Sequence, residues 1–223
     1  MEYKFSLNQR LSLIGFRIGY SEIDVSLTST TCFDYDLEET LILASYEATK
    51  DYRLLSLILS WITVHGDYII VEKLFKKLKS FEKYRGESHV MNMVSVQAVL
   101  SGFLKWKKWI TSSKDKPIYP IKDETLVSSI EYQGLNDDFA KFGILIPKKL
   151  LRIRETDIFT IEELAKNNIQ YRNRLIYGAS WRADIIAAIE FGLKNPSVIA
   201  KTIGCSYEPS HRIYNEYSLV KNL

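Results

Sequence analysis

The sequence has little of what disulfide-rich domains and metal centres need. Only two cysteines occur, Cys32 and Cys205, and they lie far apart in the chain. This excludes a dense disulfide framework and the paired spacing of a cysteine zinc site. The three histidines, His65, His89 and His211, are equally scattered, whereas zinc ligands usually come in local pairs. We therefore predict no metal site and no cofactor, and the low cysteine content favours a cytoplasmic protein.

Long apolar runs and catalytic signatures are also missing. The longest apolar segment, residues 54–64, is too short to cross a bilayer and is interrupted by Ser and Thr. The first residues do not form the basic and apolar regions of a secretion signal. The chain contains no glycine-rich phosphate loop, nucleophile elbow or HExxH motif. We expect a protein that is not in a membrane and is not an enzyme. A nuclease with acids from distant segments is the enzymatic alternative.

Charge is unevenly distributed along the chain, although the net charge is only +3. Residues 22–51 contain eight acidic side chains and one basic one, and residues 66–122 contain twelve basic and five acidic ones. Such a split permits a basic face for nucleic acid. Solvated helix faces are the commoner cause of charge runs, so the charge pattern alone does not identify a nucleic-acid-binding protein.

The hydrophobic pattern predicts a mainly α fold in two domains. Apolar residues recur at helical spacing over residues 36–48, 54–64, 71–79 and 89–110, and residues 26–31 are expected to form a loop or short strand. The polar, proline-bearing segment 111–122 predicts a boundary between a helical domain, residues 1–112, and a second domain, residues 113–223. The first domain is expected to serve dimerisation or partner binding. A small β element near 145–160 is expected as a wing or brace, because residues 151–154 alternate as a strand does.

Two lysine-rich segments of the first domain allow two interpretations each. Lys73, Lys76, Lys77 and Lys79 are predicted to form the exposed face of the helix over 71–79. The run Lys105-Trp106-Lys107-Lys108-Trp109 interleaves cations with aromatic rings, a combination that can bind nucleic acid. Tryptophans at this spacing can equally anchor a core while the lysines stay in water, and we favour that interpretation.

The C-terminal segment has the clearest local signals. Ser180 is a good N-cap for a helix whose apolar face includes Trp181, Ile185, Ile186, Ile189 and Leu193. Asn195-Pro196 then ends that helix and begins another, which Gly204 ends in turn. Ser206 can cap a third helix through about Tyr217. Upstream, Thr160 and Glu163 form a capping-box pattern.

This segment resembles the helix-turn-helix superfamily of DNA-binding domains. Ala200 lies where close packing of the motif's two helices requires a small side chain, and Gly204 follows four residues later. The inward positions of the motif are occupied by Ile199, Ile203, Cys205 and Ile213. Ser210 stands at an inward position that is usually Val or Ile. The resemblance covers residues 181–218, about a sixth of the chain, and implies that the last helix enters a major groove.

The resemblance implies a set of DNA-contacting residues. The side chains expected to face the groove are Ser206, Tyr207, Glu208, His211, Arg212 and Asn215. Contacts with the DNA backbone are expected from Arg172, Arg174, Arg182 and Lys201. The expected partner is double-stranded DNA, bound by a homodimer or together with a partner protein. The expected role is a transcription regulator, or the DNA-binding member of a toxin–antitoxin or defence operon. The alternative is a helical protein–protein adaptor that does not bind DNA.

Overall fold

The computed structural model describes residues 5–18, 35–111, 117–121 and 123–221, and this part of the chain is mainly α-helical. Its twelve α-helices are α1 (Leu7–Leu13), α2 (Leu37–Glu47), α3 (Tyr52–His65), α4 (Val71–Arg85), α5 (His89–Leu100), α6 (Leu126–Gln133), α7 (Asp137–Ala140), α8 (Ile161–Asn167), α9 (Ile169–Tyr177), α10 (Trp181–Glu190), α11 (Pro196–Ile203) and α12 (Tyr207–Lys221). Short 3-10 helices cover Gly66–Tyr68, Leu104–Trp109 and Glu155–Asp157. Among these residues no helix is both long and apolar enough to cross a membrane.

The expected β element does not form. Residues 145–160 contain no strand, and β pairing in the described residues is limited to isolated bridges, such as Ile118 with Ile144 and Leu135 with Pro147. The backbone N–H groups of Arg152 and Arg154 donate instead to the hydroxyls of Ser56 and Ser60 on α3. The alternating pattern over 151–154 was therefore wrongly interpreted as a strand, and no wing is present in this segment.

The chain divides into two compact units. One is Leu37–Phe159, and the other combines the described residues of 1–36 with those of 160–223. The boundary expected from the sequence, at 112/113, falls inside the first unit, and residues 112–116 lie outside the described residues. The loop or strand expected at 26–31 also lies outside them.

In the unit 37–159, a buried ion pair ties α2 to α4. Lys73 Nζ lies 3.0 Å from Glu38 Oε2, and both side chains are almost fully removed from solvent. The other oxygen of Glu38 accepts the backbone N–H of Ile70 at 3.0 Å. Next to this pair, Lys77 Nζ lies 2.9 Å from Glu39 Oε2. The expectation that Lys73 belongs to an exposed face is therefore wrong, because the acidic first turn of α2 holds it in the interior.

The lysine–tryptophan run packs into the same unit and does not extend α5. That helix ends at Leu100, and Gly102 follows with a φ of +94°, a left-handed conformation that favours glycine. Trp106 is fully buried and donates its indole N–H to the carbonyl of Gly66 at 3.0 Å. Trp109 stacks on Phe75 with ring centroids 4.3 Å apart. This packing agrees with the interpretation of the two tryptophans as core anchors. The prediction of one helix over residues 89–110 is wrong at its C-terminal end, because α5 ends ten residues earlier, at Leu100.

Gly66 follows the last residue of α3 with a φ of −58°, so this glycine does not adopt the left-handed conformation that often ends a helix. The glycine is required there by close packing instead, since a β-carbon on Gly66 would lie 2.6 Å from the ring of Phe103.

In the second unit, α1 and the residues that follow it contact α8 and α9 through polar groups. Arg17 Nη2 lies 2.8 Å from both carboxylate oxygens of Glu163. The Asn168 side chain, which caps α9, also donates to the carbonyl of Leu13 at 3.3 Å. The capping box predicted for Thr160 and Glu163 is present, with both reciprocal hydrogen bonds formed.

His65 is a buried ionisable group at the end of α3. Its Nε2 lies 2.9 Å from the carbonyl oxygen of Phe159. Since a carbonyl only accepts, this nitrogen carries the proton of the neutral ring. Burial lowers the pKa of His65 from 6.5 to about 4.

We expect His65 to make the protein less stable in mild acid. The unfolded imidazole takes up a proton below pH 6.5, whereas the buried ring resists protonation until about pH 4. The free energy of unfolding is therefore highest above pH 6.5, the pKa of the imidazole in the unfolded chain. It decreases as the pH falls towards 4, the pKa of His65 in the folded protein. Between pH 7 and pH 5 the free energy of unfolding should drop by about 2 kcal/mol on account of this residue. Urea unfolding at both pH values measures it.

The control is His65→Gln, which cannot titrate but can still donate to the carbonyl of Phe159. Its unfolding free energy should change less between pH 7 and pH 5 than that of the wild type. Equal pH dependence in the two proteins would contradict the assignment of a depressed pKa to His65.

Candidate nucleic-acid interface

Helices α10, α11 and α12 begin where the sequence indicates, and Gly204 ends α11 as predicted, but α12 extends to Lys221, beyond the predicted end at Tyr217. The Ser180 hydroxyl accepts the N–H of Ala183 and caps α10. The Asn195 side chain accepts the N–H groups of Ser197 and Val198, at 2.8 and 3.4 Å, and Pro196 is the first residue of α11. These two predicted helix starts are confirmed.

The connection between α11 and α12 depends on Gly204. Its φ is +83°, in the left-handed region, where any side chain would introduce strain. The N–H groups of Gly204 and Cys205 both donate to the carbonyl of Ala200, at 2.9 and 3.1 Å. The last turn of α11 is thereby closed, and α12 begins three residues later at Tyr207.

A compact apolar cluster holds the three helices together. Its buried members are Ile185, Ile186, Ala188, Ile199, Ile203 and Ile213. Partly buried side chains packed against it are Trp181, Ile189, Leu193, Cys205, Tyr214 and Tyr217. The prediction that Ile199, Ile203, Cys205 and Ile213 face inward is confirmed. Hydrophobic packing therefore fixes which side of α12 is turned away from the core.

Ser210 is a polar residue on the inward side of α12, and its hydroxyl has a hydrogen-bond partner there. The side chain is fully buried, and its hydroxyl donates to the carbonyl of Pro196 at 2.8 Å. A buried hydroxyl is tolerated where it finds a partner. This hydrogen bond joins the start of α12 to the first turn of α11.

The side chains predicted to face a DNA groove all lie on the exposed side of α12 or just before it. They are Ser206, Tyr207, Glu208, His211, Arg212 and Asn215. Tyr207, His211 and Asn215 follow one another at four-residue intervals and form a stripe. The rings of Tyr207 and His211 are 5.4 Å apart, and Asn215 Nδ2 lies 3.3 Å from His211 Nε2.

The cations around this face are exposed but partly neutralised. Lys201 is exposed on α11. Arg182 Nη1 lies 3.3 Å from Glu216 Oε2, and Arg212 Nε lies 4.0 Å from Glu216 Oε1. Glu216 was not among the predicted site residues. Its position four residues after Arg212 on a helix was the available signal.

Arg174 does not belong to this surface. Its side chain is completely buried, with Nε 2.7 Å from Asp184 Oδ1 and Nη2 2.8 Å from Asp184 Oδ2. The Gln170 side chain also donates to Asp184 Oδ2 at 3.2 Å. The expectation that Arg174 contacts a DNA phosphate is therefore wrong, because this guanidinium holds α9 against α10 in the interior.

Arg172, two residues earlier on α9, remains exposed. Its Nη2 lies 3.4 Å from Glu190 Oε2, and the same carboxylate accepts from Asn173 at 2.8 Å and from the Tyr217 hydroxyl at 3.2 Å. Glu190 thus links α9, α10 and the end of α12. Arg172 contributes to this link through its contact with Glu190.

Comparison with known proteins identifies no relative. No family model matches the chain, and no curated protein or solved structure is significantly similar to it.

We expect substitution of Arg174 to destabilise the unit that contains α10–α12. Arg174→Met leaves the Asp184 carboxylate buried without its main partner, which should cost about 3–5 kcal/mol in the free energy of unfolding. The double variant Arg174→Met with Asp184→Leu has no unpaired buried charge at this site, and it should regain part of the lost free energy of unfolding. Chemical denaturation of the two variants measures both effects.

Arg172→Gln is the matched control on the same helix. This exposed residue should contribute no more than about 1 kcal/mol. An Arg174→Met protein as stable as the Arg172→Gln protein would show that the buried ion pair does not hold α9 and α10 together.

Proposed function

We propose that this protein binds duplex DNA by placing α12 in a major groove, with α10 and α11 as its support. In this proposal it is a transcription regulator, or the DNA-binding member of a toxin–antitoxin or defence operon. The observation that carries the proposal is the division of α12 into two sides. Ser210 and Ile213 are buried, whereas the polar side chains around them are exposed.

The exposed side chains have the chemistry that base recognition needs. An asparagine such as Asn215 can form two hydrogen bonds with adenine, and an arginine such as Arg212 can form two with guanine. The hydroxyls of Ser206 and Tyr207 can bind phosphates at the start of α12, where backbone N–H groups also favour anions. Lys201 and Arg182 supply positive charge on the neighbouring helices.

The ion pairs of Glu216 set how readily the arginines reach DNA. Both Arg182 and Arg212 are more than half exposed, so their pairs with Glu216 contribute little to stability. Either guanidinium can therefore exchange the carboxylate for a phosphate or a base at small cost. The carboxylate also repels the phosphates, which makes Glu216 an opposing group in the proposed interface.

We expect Arg212→Gln to weaken binding to the protein's preferred duplex by at least about tenfold, because it removes a charged base contact. A preferred duplex can be selected from a random-sequence pool, and affinity is then measured by fluorescence anisotropy over a salt series. Lys201→Gln, in contrast, should reduce affinity for all duplexes alike and lower the slope of log K against log salt by about 0.9.

We expect Glu216→Gln to act in the opposite direction. Removing this carboxylate releases Arg182 and Arg212 and lowers repulsion of the phosphates, so affinity should rise several-fold at low salt and less at high salt. The same anisotropy titration measures it.

The control for the arginine and lysine substitutions is Lys166→Gln on α8, which removes an equal charge from an exposed residue outside α10–α12. It should leave DNA affinity nearly unchanged. Equal effects of Arg212→Gln and Lys166→Gln would contradict the proposed interface, and so would the absence of any duplex binding at low salt.

A helical adaptor is the second candidate function, and one observation favours it. Leu219 and Val220, near the end of α12, are 71% and 70% exposed. Neighbouring apolar side chains on an exposed helix are typical of protein-binding sites. If Leu219→Ser with Val220→Ser abolishes self-association or partner binding in a protein that never binds duplex DNA, the adaptor function holds.

A further inference from the structure

Three arginines line one hollow in the unit 37–159, and none of them is among the residues of the proposed DNA interface. The hollow has a volume of about 370 Å³. It is lined by Tyr52, Arg53, Ser56, Leu57, Leu150, Arg152, Arg154 and Asp157. Pockets for small organic ligands begin at about this size.

The position of the hollow follows from how residues 151–154 dock on α3. The backbone N–H of Arg152 donates to the Ser56 hydroxyl at 3.2 Å, and that of Arg154 donates to the Ser60 hydroxyl at 2.9 Å. These two serines lie four residues apart on α3, so they fix the segment at two points. Arg53 comes from the first turn of the same helix. The two segments thereby bring three guanidinium groups to one hollow.

None of these three arginines forms an ion pair with any residue that the structure describes. Five other arginines are each paired with a carboxylate, namely Arg17, Arg172, Arg174, Arg182 and Arg212, whereas Arg85 lies over the ring of Tyr46. Asp157 is the one acidic side chain of the lining, which leaves a formal charge of +2 on the lining (three arginines less one aspartate). Unpaired cations gathered around a hollow favour an anionic ligand.

The acidic groups near this end of α3 are already engaged. The Asp51 side chain accepts the N–H groups of Arg53 and Leu54 and caps the helix. Asp123 accepts the hydroxyl of Tyr52 and the N–H of Thr125. The positive charge of the hollow therefore comes from the arginine side chains, since the N-terminus of α3 is capped.

We propose that this hollow, an arginine pocket formed around Arg53, Arg152 and Arg154, binds a phosphorylated small molecule that also has an apolar part. Guanidinium groups match the geometry of phosphate oxygens and bind them in pairs of hydrogen bonds. Leu57 and Leu150 give the pocket an apolar wall, against which a base or a similar group of the ligand can pack. A nucleotide has both parts.

The test uses the whole chain and three probes: ATP, inorganic pyrophosphate and adenosine, each titrated by calorimetry with EDTA present. ATP should bind best, pyrophosphate more weakly because it lacks the apolar part, and adenosine least because it lacks phosphate. Arg152→Gln and Arg154→Gln should each weaken ATP binding about tenfold, and adding Arg53→Gln should abolish it. Lys149→Gln, an exposed neighbour outside the pocket, should leave binding unchanged.

These substitutions leave the docking of the segment intact, because the bonds to Ser56 and Ser60 use backbone N–H groups. Thermal unfolding of each variant checks this. The converse variant, Ser56→Ala with Ser60→Ala, keeps all three arginines but removes both anchors, and should also weaken ATP binding.

Two results would overturn the proposal. One is the absence of both ATP and pyrophosphate binding to the wild type. The other is ATP binding that the triple arginine variant retains. If the wild type binds neither probe while the triple variant loses affinity for duplex DNA, the arginines contact nucleic acid instead.

Discussion

The buried pair of Arg174 and Asp184 is the constraint on which the C-terminal helices depend. Two charges removed from water are tolerated only when their geometry is excellent and the remaining hydrogen-bonding capacity is satisfied. Here both carboxylate oxygens accept from one guanidinium, and Gln170 adds a third donor. The pair fixes α9 against α10, and α10 supplies much of the cluster on which α11 and α12 pack. The hydrophobic cluster sets which side of α12 is polar and exposed, and the buried pair holds α10, which is part of that cluster, against α9.

The uneven charge of the chain has a structural explanation in the unit 37–159. The acidic start of α2 and the basic α4 neutralise each other through the pairs of Glu38 with Lys73 and of Glu39 with Lys77. Lys105 and Lys108 similarly meet Asp67 and Glu72. Runs of like charge along the sequence thus become pairs of opposite charge in the fold. Cations without such partners, among them the three arginines of the arginine pocket, leave positive charge on the surface.

Sequence reasoning succeeded where a structure is decided by neighbouring residues. Helix caps at Ser180 and Asn195 and the left-handed Gly204 depend on side chains within four positions, and they could be predicted. The packing of α9 could not be predicted from the sequence, because its residues Gln170, Asn173 and Arg174 are polar yet buried. Their hydrogen-bond partners include Asp184 and Glu190, which lie on the next helix. Residues 151–154 were mistaken for a strand for the same reason. Their N–H groups bond to serines almost a hundred residues away.

The two basic surfaces differ in a way that bears on what each can recognise. On the α12 side, the cations Lys201, Arg182 and Arg212 are opposed by Glu208 and Glu216, so the net charge is small. Sequence-independent attraction to DNA grows with the number of neutralised phosphates, and it must be modest here. Discrimination by hydrogen bonds from the stripe of Tyr207, His211 and Asn215 then becomes the larger part of any affinity. In the arginine pocket the balance is reversed, because three unpaired guanidinium groups face one aspartate. There the charge of the ligand dominates, and the apolar wall selects among anions.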